Sequence, residues 1–233
     1  METFAQTIAR TDRLTQTEEG ARPIAILGGT FDPVHNAHLR VAWEAAEALD
    51  ADVRLMPAHV PPHRPAPVAS ANQRVAMLRA ALAGQTRLTL DERELRRDAP
   101  SYTVETLREL RAELGNDRSL ILLIGADAFA GLPTWHEWTA LFDLAHLVVL
   151  TRPGHDADPP AQLLSAIADR RADGASELRR SARGRVLELA VTPLEISASA
   201  VRALLALGRE PRWLVPDVLL GDPGLLAPYR RPV

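Results

Sequence analysis

Apolar residues fall along this chain in two alternating rhythms. Short, largely apolar runs, Ile24 to Leu27, Val53 to Met56, Leu120 to Ile124, His146 to Leu150 and Val186 to Val191, predict buried strands, with Arg87 to Leu90 a further candidate. Between them the spacing turns helical. Leu39, Ala42, Trp43, Ala46 and Leu49 share one face of a helix over 36–49. Val75, Leu78 and Leu82 do the same after a Ser70 cap, up to Gly84. Val104, Leu107, Leu110 and Leu114 line a helix over 103–114 closed by Gly115, and residues 197–207 form a last helix stopped by Gly208. The Pro/His-rich stretch 58–67 predicts a loop, and the Ala/Asp/Arg-rich stretch 155–185 a polar helical excursion. Strands alternating with helices predict an α/β fold, a doubly wound and mostly parallel sheet with helices on both faces. Such sheets bind ligands at the carboxyl ends of their strands, which directs attention to the residues after Leu27, Ile124, Leu150 and Val191.

Composition narrows the chemistry. The 233 residues are 46% hydrophobic and 24% charged, ordinary for a globular chain, and we expect one domain over 22–233 after a loose polar extension over 1–21. A net charge of -3 gives no general attraction to a nucleic acid polymer or to an anionic membrane, so any anion site must be local. The apolar runs fall far short of the ~20 residues of a membrane helix, and residues 1–21 lack the apolar stretch of a signal peptide, which predicts a cytoplasmic protein. There is no cysteine, hence no disulfide, thiolate nucleophile or cysteine-held metal. There is also no lysine: a P-loop, a kinase-type phosphate lysine and Schiff-base chemistry are all excluded.

The first strand end reads Gly28-Gly29-Thr30-Phe31-Asp32-Pro33-Val34-His35-Asn36-Ala37-His38. Paired glycines let a backbone turn tightly and approach a ligand. His35 and His38 at i and i+3 share one face of a helix N-terminus, where the dipole favours anions and imidazoles can donate to a phosphate gaining charge. After the last strand comes Ile196-Ser197-Ala198-Ser199-Ala200-Val201-Arg202. Either serine can cap the helix, and Arg202, three residues past Ser199, can clamp phosphate oxygens from the same face. Trp135, in a Pro/Gly-flanked loop, reads as exposed and suits a flat cationic ring, a Trp135/Trp138 packing pair being the lesser alternative; Asp127 after Gly125 could equally cap a helix.

The first string resembles the signature of the adenylyltransferases and cytidylyltransferases, with Ala37 where that family usually has glycine, and ISxSxxR matches their second motif. Further strings resemble the nicotinate mononucleotide adenylyltransferases in particular: Pro61-Pro62-His63-Arg64, Pro100-Ser101-Tyr102-Thr103, Ile124-Gly125-Ala126-Asp127, Leu132-Pro133-Thr134-Trp135-His136-Glu137-Trp138 and the Arg152-Pro153-Gly154 end of a strand, together spanning 24 to about 216. Leu219 and Leu220 stand where that family more often has a Tyr-Ile pair, a difference expected to affect packing only.

The resemblance implies a Rossmann-like fold and transfer of an adenylyl group from ATP to nicotinate mononucleotide, giving nicotinate adenine dinucleotide and pyrophosphate in NAD biosynthesis. It implies that Gly28, Gly29, Thr30, Phe31, His35, His38, Gly125, Asp127, Arg152, Ser197, Ser199 and Arg202 bind ATP, with His35, His38 and Arg202 catalytic. His63, Arg64, Tyr102, Thr103, Trp135 and His136 would bind the mononucleotide. Mg²⁺ would arrive with ATP, Asp32 being the nearest carboxylate. ATP and nicotinate mononucleotide are the expected partners, and a homo-oligomer is compatible with the chain. Three readings compete with this one. The acceptor could be the amide mononucleotide or phosphopantetheine, the chain could bind nucleotide without turning it over, or His35, His38, His59 and His63 could serve a metal-dependent hydrolase.

Overall fold

The backbone hydrogen bonds of six short strands run side by side in one direction. The computed structural model describes residues 21–59, 66–97, 101–152 and 158–230; the expected extension, apart from Ala21, and His63, Arg64, Pro153 and Gly154 lie outside them. The strands are β1 (Ile24–Gly29), β2 (Asp52–Pro57), β3 (Leu88–Leu90), β4 (Leu120–Gly125), β5 (His146–Thr151) and β6 (Val186–Ala190). They form one parallel sheet in the order β3-β2-β1-β4-β5-β6. This is the Rossmann-like, doubly wound arrangement, and its order reverses between β1 and β4.

Strands covered on both faces read as near-continuous apolar runs, as β1 and β4 do, while Arg54 interrupts β2 and Glu188 interrupts β6. Ala25, Val53, Leu55, Ile121, Leu123, Val148 and Leu150 point to one core. Helix α1 (Asn36–Leu49) fills it with Val41, Ala42, Ala45, Ala46 and Leu49, and α2 (Ala71–Ala81) with Met77 and Leu78. The alternate residues Ile24, Ile26, Met56, Leu120, Leu122, Ile124, Leu147 and Val149 meet the other core, where α3 (Thr103–Leu114) adds Val104, Leu107 and Leu110. Ser70 accepts from the Gln73 backbone N–H to start α2, and Gly115, at φ +79°, ends α3 in a conformation open to glycine.

The polar excursion is two short helices in its described part, α5 (Ala161–Ile167) and α6 (Ala175–Arg179), following α4 (Ala126–Ala130). The final predicted helix runs Ala198–Ala206 (α7), with Ser197 as its cap. Beyond it, α8 (Asp217–Gly221) packs against α2, and Leu219 is fully buried there, a packing role as expected for that position. No described helix is long and apolar enough to cross a membrane.

Candidate active site

The turn after β1 is built around Phe31, which takes a left-handed φ of +50° and folds its ring back over the chain. A Cβ on Gly29 would sit 3.0 Å from that ring, so any larger residue would push Phe31 aside, while a Cβ on Gly28 or Gly125 would meet no protein atom within 4 Å. Gly28, Gly125, Asp127, Arg152, Ser197 and Ser199 are exposed along the carboxyl edge of the sheet, at the ends of β1, β4 and β5 and the start of α7. That edge includes the switch point, where doubly wound sheets take their ligands.

His35 is the N-cap of α1 and only 5% exposed. Its ring stacks on that of His38, centroids 3.6 Å apart and planes 18° from parallel, and the Phe31 ring meets His38 edge-on at 4.9 Å. The His35 backbone N–H donates to His38 Nδ1 at 3.3 Å, so the neutral His38 ring carries its proton on Nε2. Burial, reinforced by the positive charge of Arg152, lowers the His35 pKa to about 4. Arg152, at the end of β5, is thus close enough for its charge to be felt at the start of α1. The free N–H groups at this helix end are fewer than at an uncapped N-terminus: Asn36 donates its backbone N–H to the Leu214 carbonyl at 2.8 Å, and the His38 backbone N–H donates to the His35 carbonyl at 3.0 Å.

Arg202 joins the second motif to the first. One terminal nitrogen donates to the Asp32 carbonyl at 2.7 Å, and the other to Ser199 Oγ at 3.2 Å. Ser197 Oγ takes the capping role by accepting from Ala200. Of the two serines that could cap the helix, Ser197 does so, and Ser199 Oγ accepts from Arg202 instead.

Asp32 corrects an expectation. Its carboxylate is 5% exposed and accepts from the Val68 and Ala69 backbone N–H groups at 2.8 and 3.0 Å and from the Tyr229 hydroxyl at 2.7 Å. A carboxylate so occupied is a structural anchor and a poor magnesium ligand. Among the described residues, no group of three or more His, Asp or Glu side chains gathers to hold a metal ion, which disfavours the hydrolase reading as far as His35, His38 and His59 are concerned.

On the far side of the switch point, Tyr102 precedes α3 and its ring lies 4.6 Å from that of His136. Trp135 and Trp138 are half-buried against the second core, so packing and an available indole face coexist. Glu137 stands between them at φ +48°, and Arg108 of α3 hydrogen-bonds its carboxylate. Arg108 binds Glu105 as well, and its hydrogen bond to Glu137 holds the Glu137 carboxyl below the usual carboxylate range. The pairing of Arg108 with Glu137 has no signal in the sequence, because a contact between a solvent-facing helix position and a distant loop residue follows no periodicity.

A family model described as cytidylyltransferase-like matches residues 26–204. The chain is 52% identical over 199 residues to a Pseudomonas aeruginosa protein named "Probable nicotinate-nucleotide adenylyltransferase", covering 84% of this chain and 92% of that one. An Aeromonas hydrophila protein of the same name is 50% identical over 195 residues, covering 83% and 91%. Among solved structures, the Plasmodium falciparum nicotinic acid mononucleotide adenylyltransferase complexed with NaAD matches with a TM-score of 0.64 at 16% identity, covering 86% of this chain and 96% of that one. At such identity the likeness is one of fold.

Proposed function

The chain belongs to the cytidylyltransferase-like family and, within it, to the nicotinate-nucleotide adenylyltransferases, and from that premise we propose how its residues carry the reaction. ATP and nicotinate mononucleotide combine to nicotinate adenine dinucleotide and pyrophosphate. An oxygen of the mononucleotide 5′-phosphate forms a bond to the α-phosphorus of ATP, in line with the bond that breaks. Pyrophosphate leaves with the electron pair of that bond. No protein nucleophile takes part, so rate comes from positioning and charge neutralisation.

His38, with its proton on Nε2, and the stacked His35 serve the reacting phosphates. Arg202 and Ser199 hold the departing pyrophosphate, and Arg152 adds positive charge from β5. Gly28, Gly29, Thr30 and Phe31 lie along the nucleotide, with Gly125 behind and Asp127 on a ribose hydroxyl. Trp135 stacks on the pyridine ring, Tyr102 lines the same place, and backbone N–H groups near Thr103 and His136 receive its carboxylate. His63 and Arg64 receive the mononucleotide phosphate. Magnesium would enter with the ATP substrate and neutralise phosphate charge there; Asp32, the nearest carboxylate, is committed to protein donors.

One observation carries this reading: the 2.7 Å bond from Arg202 to the Asp32 carbonyl, which joins the ISxSxxR helix to the turn bearing His35 and His38. The test is product formation from ATP with nicotinate mononucleotide, its amide and phosphopantetheine in parallel. We expect the acid to be used best. Preference for phosphopantetheine, or ATP binding without pyrophosphate release, would overturn the assignment.

A further inference from the structure

Beneath the Arg202 contact lies a buried polar cluster that phosphate binding alone does not explain. Asp32, Arg74 and Tyr229 are 5%, 1% and 5% exposed. Arg74, from α2, donates to the Thr30 carbonyl at 2.8 Å and so holds the β1 turn from below. Asp32, two residues on, accepts three hydrogen bonds at its carboxylate and a fourth, from Arg202, at its carbonyl. Arg202 also stands 3.8 Å from the Asp32 carboxylate, so the same residue meets it twice. Tyr229 comes from a 3₁₀ turn at Ala227–Tyr229, 197 positions away in sequence. Burying this many polar groups is costly unless they find partners in fixed places; Asp32 and the Tyr229 hydroxyl do, while Arg74 Nε has none.

We propose that Tyr229 is a positioning residue for adenylyl transfer: its hydroxyl fixes the Asp32 side chain, and Asp32 in turn fixes the guanidinium of Arg202 against the leaving pyrophosphate. The inference rests on the role given to Arg202 above. The Tyr229 hydroxyl donates to Asp32, and burial together with that carboxylate raises its pKa, so the donor keeps its proton across the working range. Arg202 is only partly buried and stands on a short helix; its side chain has many rotamers to choose from. Asp32, held by two backbone N–H groups and Tyr229, supplies the fixed point that selects one of them. Without the hydroxyl Asp32 loses one of its three carboxylate donors and the guanidinium loses its firm reference. Ground-state mononucleotide binding, built from Tyr102, Trp135 and His136, does not pass through this cluster.

The test is a double-mutant cycle on the full-length enzyme with Tyr229→Phe and Arg202→Ala, read as kcat and as KM for each substrate. Tyr229→Phe alone is expected to lower kcat roughly tenfold while KM for nicotinate mononucleotide stays put. In the Arg202→Ala background the same change is expected to alter kcat by less than about twofold. A merely structural tyrosine would give the same penalty in both backgrounds, and that result overturns the inference while leaving the role of Arg202 intact. An unchanged kcat for Tyr229→Phe overturns it equally. Near-wild-type activity of Arg202→Ala removes the underlying assignment and this inference with it. Melting curves establish that each variant is folded; if Tyr229→Phe is not, Asp32→Asn probes the same link from its other end and must show the same loss of additivity.

Discussion

The rings of His35 and His38 lie face to face at 3.6 Å, and only one of the two is buried among apolar neighbours. Burial and the charge of Arg152 bring the His35 pKa from 6.5 to about 4, so the folded protein keeps this imidazole neutral where the unfolded chain would protonate it. Between those values the unfolded state binds the extra proton, and stability therefore rises with pH through the window and is lost as pH falls through it. The shift corresponds to about 3 kcal/mol. His146, fully buried between the Ser181 carbonyl and the Arg185 backbone N–H, is depressed in the same direction by burial. Urea unfolding at pH 7.5 and 4.5 should show the loss, and His35→Gln should shrink it. An equal pH effect in that variant would remove His35 from the account.

His38 presents its protonated Nε2 because Nδ1 is taken by the His35 backbone. His38→Ala is expected to lower kcat by ~10²–10³ while leaving the fold intact, as for other donors aimed at developing charge. Steady-state rates of pyrophosphate release check this. A rate within threefold of wild type would exclude the assigned role.

Arg108 and Glu137 join α3 to the segment carrying Trp135 and His136, across exposed surface. An ion pair of this kind is screened by salt and weak in itself, but here it pins a residue in the left-handed region beside the proposed pyridine site. Arg108→Ala is expected to raise KM for nicotinate mononucleotide roughly two- to five-fold, with kcat and the KM for ATP unchanged. Salt near 0.5 M should reproduce part of the effect in the wild type and none in the variant. A rise in the ATP KM instead would place the pair elsewhere in the mechanism.

Arg111 serves stability. It is 7% exposed and donates to the carbonyls of Leu144, Gly115, Arg118 and Ala182, gathering three chain segments at the amino end of the sheet. Arg111→Met leaves those carbonyls without their donor, at an expected cost of about 3 kcal/mol or more. Lysine should rescue little, because an ammonium cannot span the same fork. Denaturant midpoints check the cost, and kcat at low temperature should stay near that of the wild type.

The regular elements were legible where one physical rule decided them. The helix over 36–49 and that over 103–114 came out to the residue because their apolar faces and end residues agree, and Ser70 caps α2 as its position suggests. The 3₁₀ turns at Arg93–Arg96, Leu132–Thr134 and Trp138–Asp143 did not, since pieces of one or two turns have no period to detect. The two phosphate motifs were readable as strings. Their joining through Asp32 was not, nor was the docking of residues 213–215 on Asn36, whose side chain donates to the Trp213 and Val215 carbonyls. His146 and Arg111 look like ordinary polar residues in the sequence because their partners are carbonyls, which every residue has.

The bond between Tyr229 and Asp32 also sets a schedule. Asp32 leaves the ribosome 197 residues before the tyrosine that completes its shell. At synthesis rates of about 5–20 residues per second, that is a wait of roughly 10–40 s. Throughout that interval the nascent chain owns both histidines while the carboxylate just before them still lacks its last donor, so the turn that carries them is finished only with the end of the described chain.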